Sequence, residues 1–189
     1  SVGQLLRRYP AYTWLLVGCA LLMACHSATC TYMIHIVGKV GGSESMMGSA
    51  LAVAAFLELP AMGLFSRVRR KVPLAWLLIF CAAFFVIRAG LFWAARSVPV
   101  LYLAAALDFF EYGIFIPATV YYVAEHIDPA NQVKGQSLMG MATTGVGSAF
   151  GNFVSGQLLD RAGVSGMLLF CTACAAVGLL VVIYAVRRK

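Results

Sequence analysis

Six long stretches nearly free of charge, joined by short polar links, limit this chain to one kind of architecture. They run over 13–37, 46–66, 73–95, 99–124, 136–159 and 165–186. At 1.5 Å per residue, each is long enough as a helix to cross roughly 30 Å of hydrocarbon. Hydrophobic residues make up 62% of the 189 and charged residues 11%, against about 45–50% and about 25% in an ordinary soluble domain. The expectation is an all-α membrane protein: one bundle of six transmembrane helices over 1–189, with no length left for a soluble domain. The chain opens on Ser1, and its first residues lack the apolar core and small-residue cleavage site of a signal peptide. It reads as a piece of a longer protein.

Lys and Arg outnumber Asp and Glu 14 to 7. The cations sit in clusters between apolar stretches, as in cytoplasmic loops, so nucleic acid is not an expected partner. On one set of alternate joints lie Arg7, Arg8, Arg67, Arg69, Arg70, Lys71, Lys134, Arg187, Arg188 and Lys189; on the other lie Lys39, Arg96 and Arg161. The basic side is expected to be cytoplasmic, which puts both termini in the cytoplasm of a multi-pass plasma-membrane protein. Trp14, Trp76, Tyr121, Tyr122 and Tyr184 near inner ends, and Tyr32, Trp93 and Tyr102 near outer ends, read as interfacial belts. The run Gly156 to Gly163 looks like the G-x-x-x-D-R-x-G element of cytoplasmic transporter loops, but the charge count places it outside. Asp160 and Arg161 are then expected to cap a helix end. All six cysteines fall inside apolar stretches, where they act as small hydrophobes.

Four ionisable residues interrupt the apolar stretches: Glu58, Arg88, Asp108 and Glu111. Each costs about 2.5–3.5 kcal/mol on insertion scales, so pathways for ions, protons or solutes are the default reading. Three acids and one arginine leave a net charge of minus two if all ionise, so at least one acid is expected to carry a proton. Counted from the outer face, Arg88 lies roughly 9 Å deep, Asp108 roughly 14 Å, and Glu111 and Glu58 roughly 18 Å. An extended arginine covers the step to Asp108. Asp108 and Glu111, three apart, share a helix face that Tyr112, Phe115, Thr119 and Tyr122 continue. Arg88, Asp108 and Glu111 are the expected proton-coupling group; the bland alternative is a structural ion pair with the other acids buried neutral.

Glu58, His26, Thr29, Tyr112, Phe115 and Thr119 are the remaining candidates for lining a substrate cavity. Glu58 precedes Pro60, and it reads equally as a gating or a packing group. His26, His35 and His126 have no candidate ligand near them in sequence, so no metal site is expected. Gly140, Gly145, Gly147, Gly151 and Gly156 mark the fifth stretch as a close-packing helix. Asp128, followed by Pro129, is placed to cap a short helix.

The pattern resembles the C-terminal six-helix half of a major facilitator superfamily transporter, in the branch of lactose permease and related proton symporters. The most specific part is Val86-Ile-Arg88-Ala-Gly90 followed by Leu107-Asp108-Phe109-Phe110-Glu111. Arg88 and Glu111 match that branch in type, whereas Asp108 stands where it has a histidine. The basic joint Ser66 to Lys71 occupies the place of the family's loop motif without its acid and second glycine. The resemblance implies inverted three-plus-three repeats in half of a twelve-helix transporter. It also implies a missing N-terminal half, with the first and fourth stretches lining the central cavity. The expected function is secondary active transport of a small organic solute, coupled to protons by alternating access, with no cofactor and, lacking a Walker element, no nucleotide site. The alternatives are an intramembrane enzyme, which would need a histidine of the first stretch to meet the fourth, and a six-helix assembly subunit.

Overall fold

The computed structural model describes residues 2–188; Ser1 and Lys189, the last of the cations counted above, lie outside the described residues. Among the described residues every regular element is helical. In chain order these are α1 (Val2–Arg8), α2 (Pro10–Thr31), α3 (Met33–Lys39), α4 (Glu44–Arg69), α5 (Leu74–Ala94), α6 (Val98–Ala106), α7 (Tyr112–His126), α8 (Gln132–Gly140) and α9 (Ser148–Arg187). Five helical runs are long and apolar enough to cross a membrane, and the last, Pro129–Arg187, is 59 residues long. It is bent at Gly163, whose φ of 66° only glycine adopts readily, so this run supplies two spans.

Local chemistry explains most boundaries. Pro10 begins α2 at a position where its missing N–H is no loss, and Gly41, with φ of 77°, turns the chain between α3 and α4. Where one helix over 13–37 was expected, the chain breaks at Tyr32 into α2 and α3. Where one was expected over 99–124, a 3-10 turn over Leu107–Phe109 separates α6 from α7. The fifth stretch widens into a π-helix over Met141–Gly147 before α9 begins. Asp128 does not cap a helix through its side chain. Its carboxylate is taken instead by the Tyr9 hydroxyl at 2.7 Å, the Asn131 amide at 2.9 Å and Arg8 at 3.3 Å. The hydroxyl above all holds that carboxyl below its usual range.

The core is built on α2, which lies against α5, the π-helix and α9. A Cβ on Gly147 would stand 2.4 Å from the Ala20 carbonyl oxygen, and one on Gly151 would stand 2.2 Å from that of Ala24. These glycines are therefore what lets two backbones touch inside the bundle. Farther along, Gly178 faces Gly18 in the same way. α4 rests on α6 and α7, and a Cβ on Gly113 would meet Ala61 at 2.5 Å. Large apolar side chains such as Phe56, Leu59, Phe153 and Leu180 cover the outside. Not every end aromatic joins a belt: Tyr122 is buried and stacked on His126 at 4.1 Å. Two ion pairs, Arg8 with Asp128 and Arg69 with Glu125 at 2.8 Å, gather the N-terminus and the two basic joints at one end. At the other end Lys39 donates to the Trp93 carbonyl at 2.5 Å, and Ser49 shares a hydrogen bond with Tyr102.

Candidate functional site

The 3-10 turn after α6 places the acids. The turn covers Leu107–Phe109 and ends before Glu111, and Asp108 within it and Glu111 just past it reach the same arginine nitrogen. Both backbone amides at Phe110 and Glu111 donate to the Leu107 carbonyl, at 3.0 and 3.1 Å, and α-helical bonding resumes with Phe115 donating to Glu111 at 3.0 Å. From α5, Arg88 meets both acids with one nitrogen: Nη1 is 3.1 Å from Asp108 Oδ1 and 3.0 Å from Glu111 Oε1. All three side chains are at most 2% exposed. The guanidinium also lies 5.1 Å from the centre of the Phe92 ring, a cation–π contact.

A fourth member comes from α2. His26 Nδ1 is 2.9 Å from Glu111 Oε1, 3.7 Å from Asp108 Oδ1 and 3.3 Å from Arg88 Nη1. The Tyr112 ring stacks on the imidazole at 4.4 Å with the planes 6° apart, and Cys30 Sγ lies 3.7 Å from Nε2. Glu58 lies nearby on α4: its Cα and carbonyl oxygen stand 3.5 Å from where a Cβ on Gly113 would be. One cation, two acids and a histidine from three different spans thus share a single site.

The geometry admits two proton positions between Glu111 and His26. The guanidinium always donates, so Glu111 Oε1 accepts from Arg88 in either case. The remaining proton of the 2.9 Å contact belongs either to imidazole Nδ1, which then donates to the carboxylate, or to the carboxyl, which then donates to Nδ1. Capacity is left over as well: Arg88 Nε and Nη2, Asp108 Oδ1 and Glu111 Oε2 are buried without a hydrogen-bond partner. A cluster with unused donors and acceptors is suited to changing partners.

His26, Asp108 and Glu111 bring ligand atoms within 4.8 Å of one another, the spacing of a metal site. Arg88 Nη1 stands 3.0 to 3.3 Å from those same atoms. The guanidinium fills the position a cation would need, so the donor set is matched to an arginine and not to a metal.

Of the other cavity candidates, Glu58 and Tyr112 are half-buried beside the cluster. Thr29 and Thr119 are buried, and each hydroxyl donates to a carbonyl of its own helix, His26 and Ile116, both at 2.9 Å. Phe115 is buried against Phe85 at 5.4 Å. Sequence spacing did not bring His26 to Glu111, which lies 85 positions away. The one signal was general: a histidine inside an apolar span, with no polar neighbour to satisfy it, has to find a partner on another helix.

Residues 2–184 match the family described as the MFS_1 like family. All 189 residues align at 26% identity with 48% of a protein from Geobacillus stearothermophilus named maltose permease. At 22% identity, 95% of the chain aligns with 46% of a putative sugar efflux transporter from Deinococcus radiodurans. At the same identity, 84% aligns with 40% of an uncharacterized transporter from Bacillus subtilis. The chain thus spans about half the length of these relatives or less, and all three carry transporter names rather than enzyme names.

Proposed function

This chain belongs to the MFS_1 like family and is a multi-pass membrane protein, and from that premise we propose that it is the C-terminal six-helix half of a proton-coupled secondary transporter. The solute is a small organic molecule, with sugars as the first candidates because two of the relatives are named for them. The observation that carries the proposal is the buried group itself. A single guanidinium nitrogen holds two carboxylates, and one of these carboxylates also touches a histidine, across three spans of one bundle.

In this mechanism Glu111 carries the proton. Arg88 and His26 stabilise its ionised form in one conformation, and withdrawal of either favours the protonated form in the other. Asp108, held by Arg88, keeps the arginine available when Glu111 is neutral. Tyr112, stacked on His26, and half-buried Glu58 stand where a solute in the cavity would meet the cluster. The missing N-terminal half supplies the opposite wall. The basic end of the bundle faces the cytoplasm of a plasma-membrane protein, as its excess of cations suggests. His26 does meet the fourth stretch, the geometric condition of the enzyme alternative, but every relative compared is named as a transporter.

The test uses the full-length protein in vesicles. Addition of a sugar that is a substrate should change internal pH. Glu111→Gln should abolish accumulation driven by a proton gradient while leaving solute exchange, since a permanently neutral side chain mimics the loaded state. Accumulation by Glu111→Gln equal to the parent's, with the same pH dependence, excludes Glu111 as the carrier.

A further inference from the structure

On the flank between α4, α5 and α7, away from the charged cluster, the apolar surface is indented by a groove of about 550 Å³. No charged residue lines it; its walls include Leu64, Val68, Val72, Trp76, Phe80 and Phe110. On α5 it extends from Trp76 to Ala83, about 10 Å at 1.5 Å per residue. Ring contacts of 4.7 Å between Phe80 and Phe84 and 4.9 Å between Phe84 and Phe110 hold this wall in shape.

At Val72 the groove meets a second depression of about 420 Å³, formed by the joint between α4 and α5. Arg69, Arg70, Lys71 and His126 gather there around one acid, Glu125. Arg69 is committed to that acid, its Nη2 donating to both carboxylate oxygens at 2.8 Å. Arg70 and Lys71 are exposed, and among the described residues no acid pairs with them. Trp76, 60% exposed, lines the groove four residues past the shared Val72, near the end of the span, where an indole sits between headgroups and hydrocarbon.

We infer that this joined surface binds one anionic phospholipid, with an acyl chain in the groove and the phosphate on Arg70 and Lys71. Charge complementarity selects the ligand. A soluble anion has no use for an apolar trough, and a zwitterionic lipid gains little from two unpaired cations, whereas basic pockets between membrane helices favour anionic headgroups. Smooth apolar faces of the bundle are served by any fluid acyl chain; here one chain meets fixed aromatic walls. Phe109 and Phe110 also line the groove, so the lipid tail lies behind the segment that carries Asp108 and Glu111. The site is independent of the proton-coupling proposal and stands or falls separately.

The test is native mass spectrometry of the full-length protein, delipidated and titrated in detergent with phosphatidylglycerol, with phosphatidylcholine of the same acyl chains, and with glycerol 3-phosphate. Phosphatidylglycerol should bind in preference to phosphatidylcholine, and glycerol 3-phosphate should not bind. Arg70→Gln with Lys71→Gln, both at exposed positions, should weaken phosphatidylglycerol about thirty-fold, from about fivefold per cation, and leave phosphatidylcholine unchanged. Ala83→Phe, which fills the trough, should weaken both lipids. Equal binding of the two lipids, an unaltered affinity in the double variant, binding of the headgroup alone, or no retained lipid because the other half covers the groove would each overturn the inference.

Discussion

Replacing Arg88 by methionine tests whether the buried cluster is held by compensation of charge or merely by packing. Nη1 lies 3.1 Å from Asp108 and 3.0 Å from Glu111, so each ionised contact is a gross attraction of about 5 kcal/mol at an effective dielectric near 20. Most of that offsets the cost of taking the charges out of water. What Arg88→Met exposes is the remainder, about 3–5 kcal/mol for a buried ion pair broken on one side. At about 2–4 °C per kcal/mol for a unit of this size, the melting temperature should fall by roughly 6–20 °C. The assay is thermal unfolding of the full-length protein in detergent, followed by fluorescence at pH 7.5 and pH 5. Acid supplies the protons that neutralise stranded carboxylates, so the deficit should narrow at the lower pH. Adding Asp108→Asn to Arg88→Met should recover part of the loss, because one uncompensated charge is removed with it. The reasoning fails if Arg88→Met melts within about 2 °C of the parent, or if Asp108→Asn costs as much in the variant as in the parent.

Two further outcomes follow from the packing and the charge distribution. Gly151→Val should lower yield and melting temperature, by roughly 1–3 kcal/mol or more, because its Cβ would stand 2.2 Å from a backbone oxygen of α2, whereas Gly140→Ala, with nothing within 4 Å, should melt as the parent does. In a background without native cysteines, Gly42→Cys and Ser97→Cys should label from outside intact cells while Arg69→Cys and Asn131→Cys do not; the reverse pattern overturns the orientation.

The apolar spans were legible because hydropathy is written along the chain one residue at a time, and a charge inside such a span is visible without any knowledge of its neighbours. The meeting of Arg88 with Asp108 followed from depth, since each rise of 1.5 Å can be counted, and Glu111 entered as the residue three positions on that shares Asp108's face. The tightening at Leu107–Phe109 was not legible: Leu-Asp-Phe carries neither glycine nor proline, and the turn lies where two acids face one cation on another helix. His26 escaped for a related reason, as its partner is set by the packing of α2 on α5 and not by any local spacing. Asp128 looked like a cap from its neighbours, yet the Tyr9 hydroxyl 119 positions away claims the carboxylate. Thr29 and Thr119 carried polar labels that the helix itself absorbs, their hydroxyls returning to backbone carbonyls one turn back.

The contact between α2 and the start of α9 also constrains how this chain can diverge. Gly147 and Gly151 meet Ala20 and Ala24 backbone to backbone, so at these four positions the two elements touch, and neither glycine has room for a side chain unless the helices part along the whole seam. Drift is therefore blocked one residue at a time and has to pass around the seam, through outward positions such as Phe56, Phe153 and Leu180, which are largely exposed. At 22–26% identity to its relatives, the chain should keep small residues at all four places while the outer faces are rewritten, and an alignment deep enough to count them would read the seam as a single inherited character.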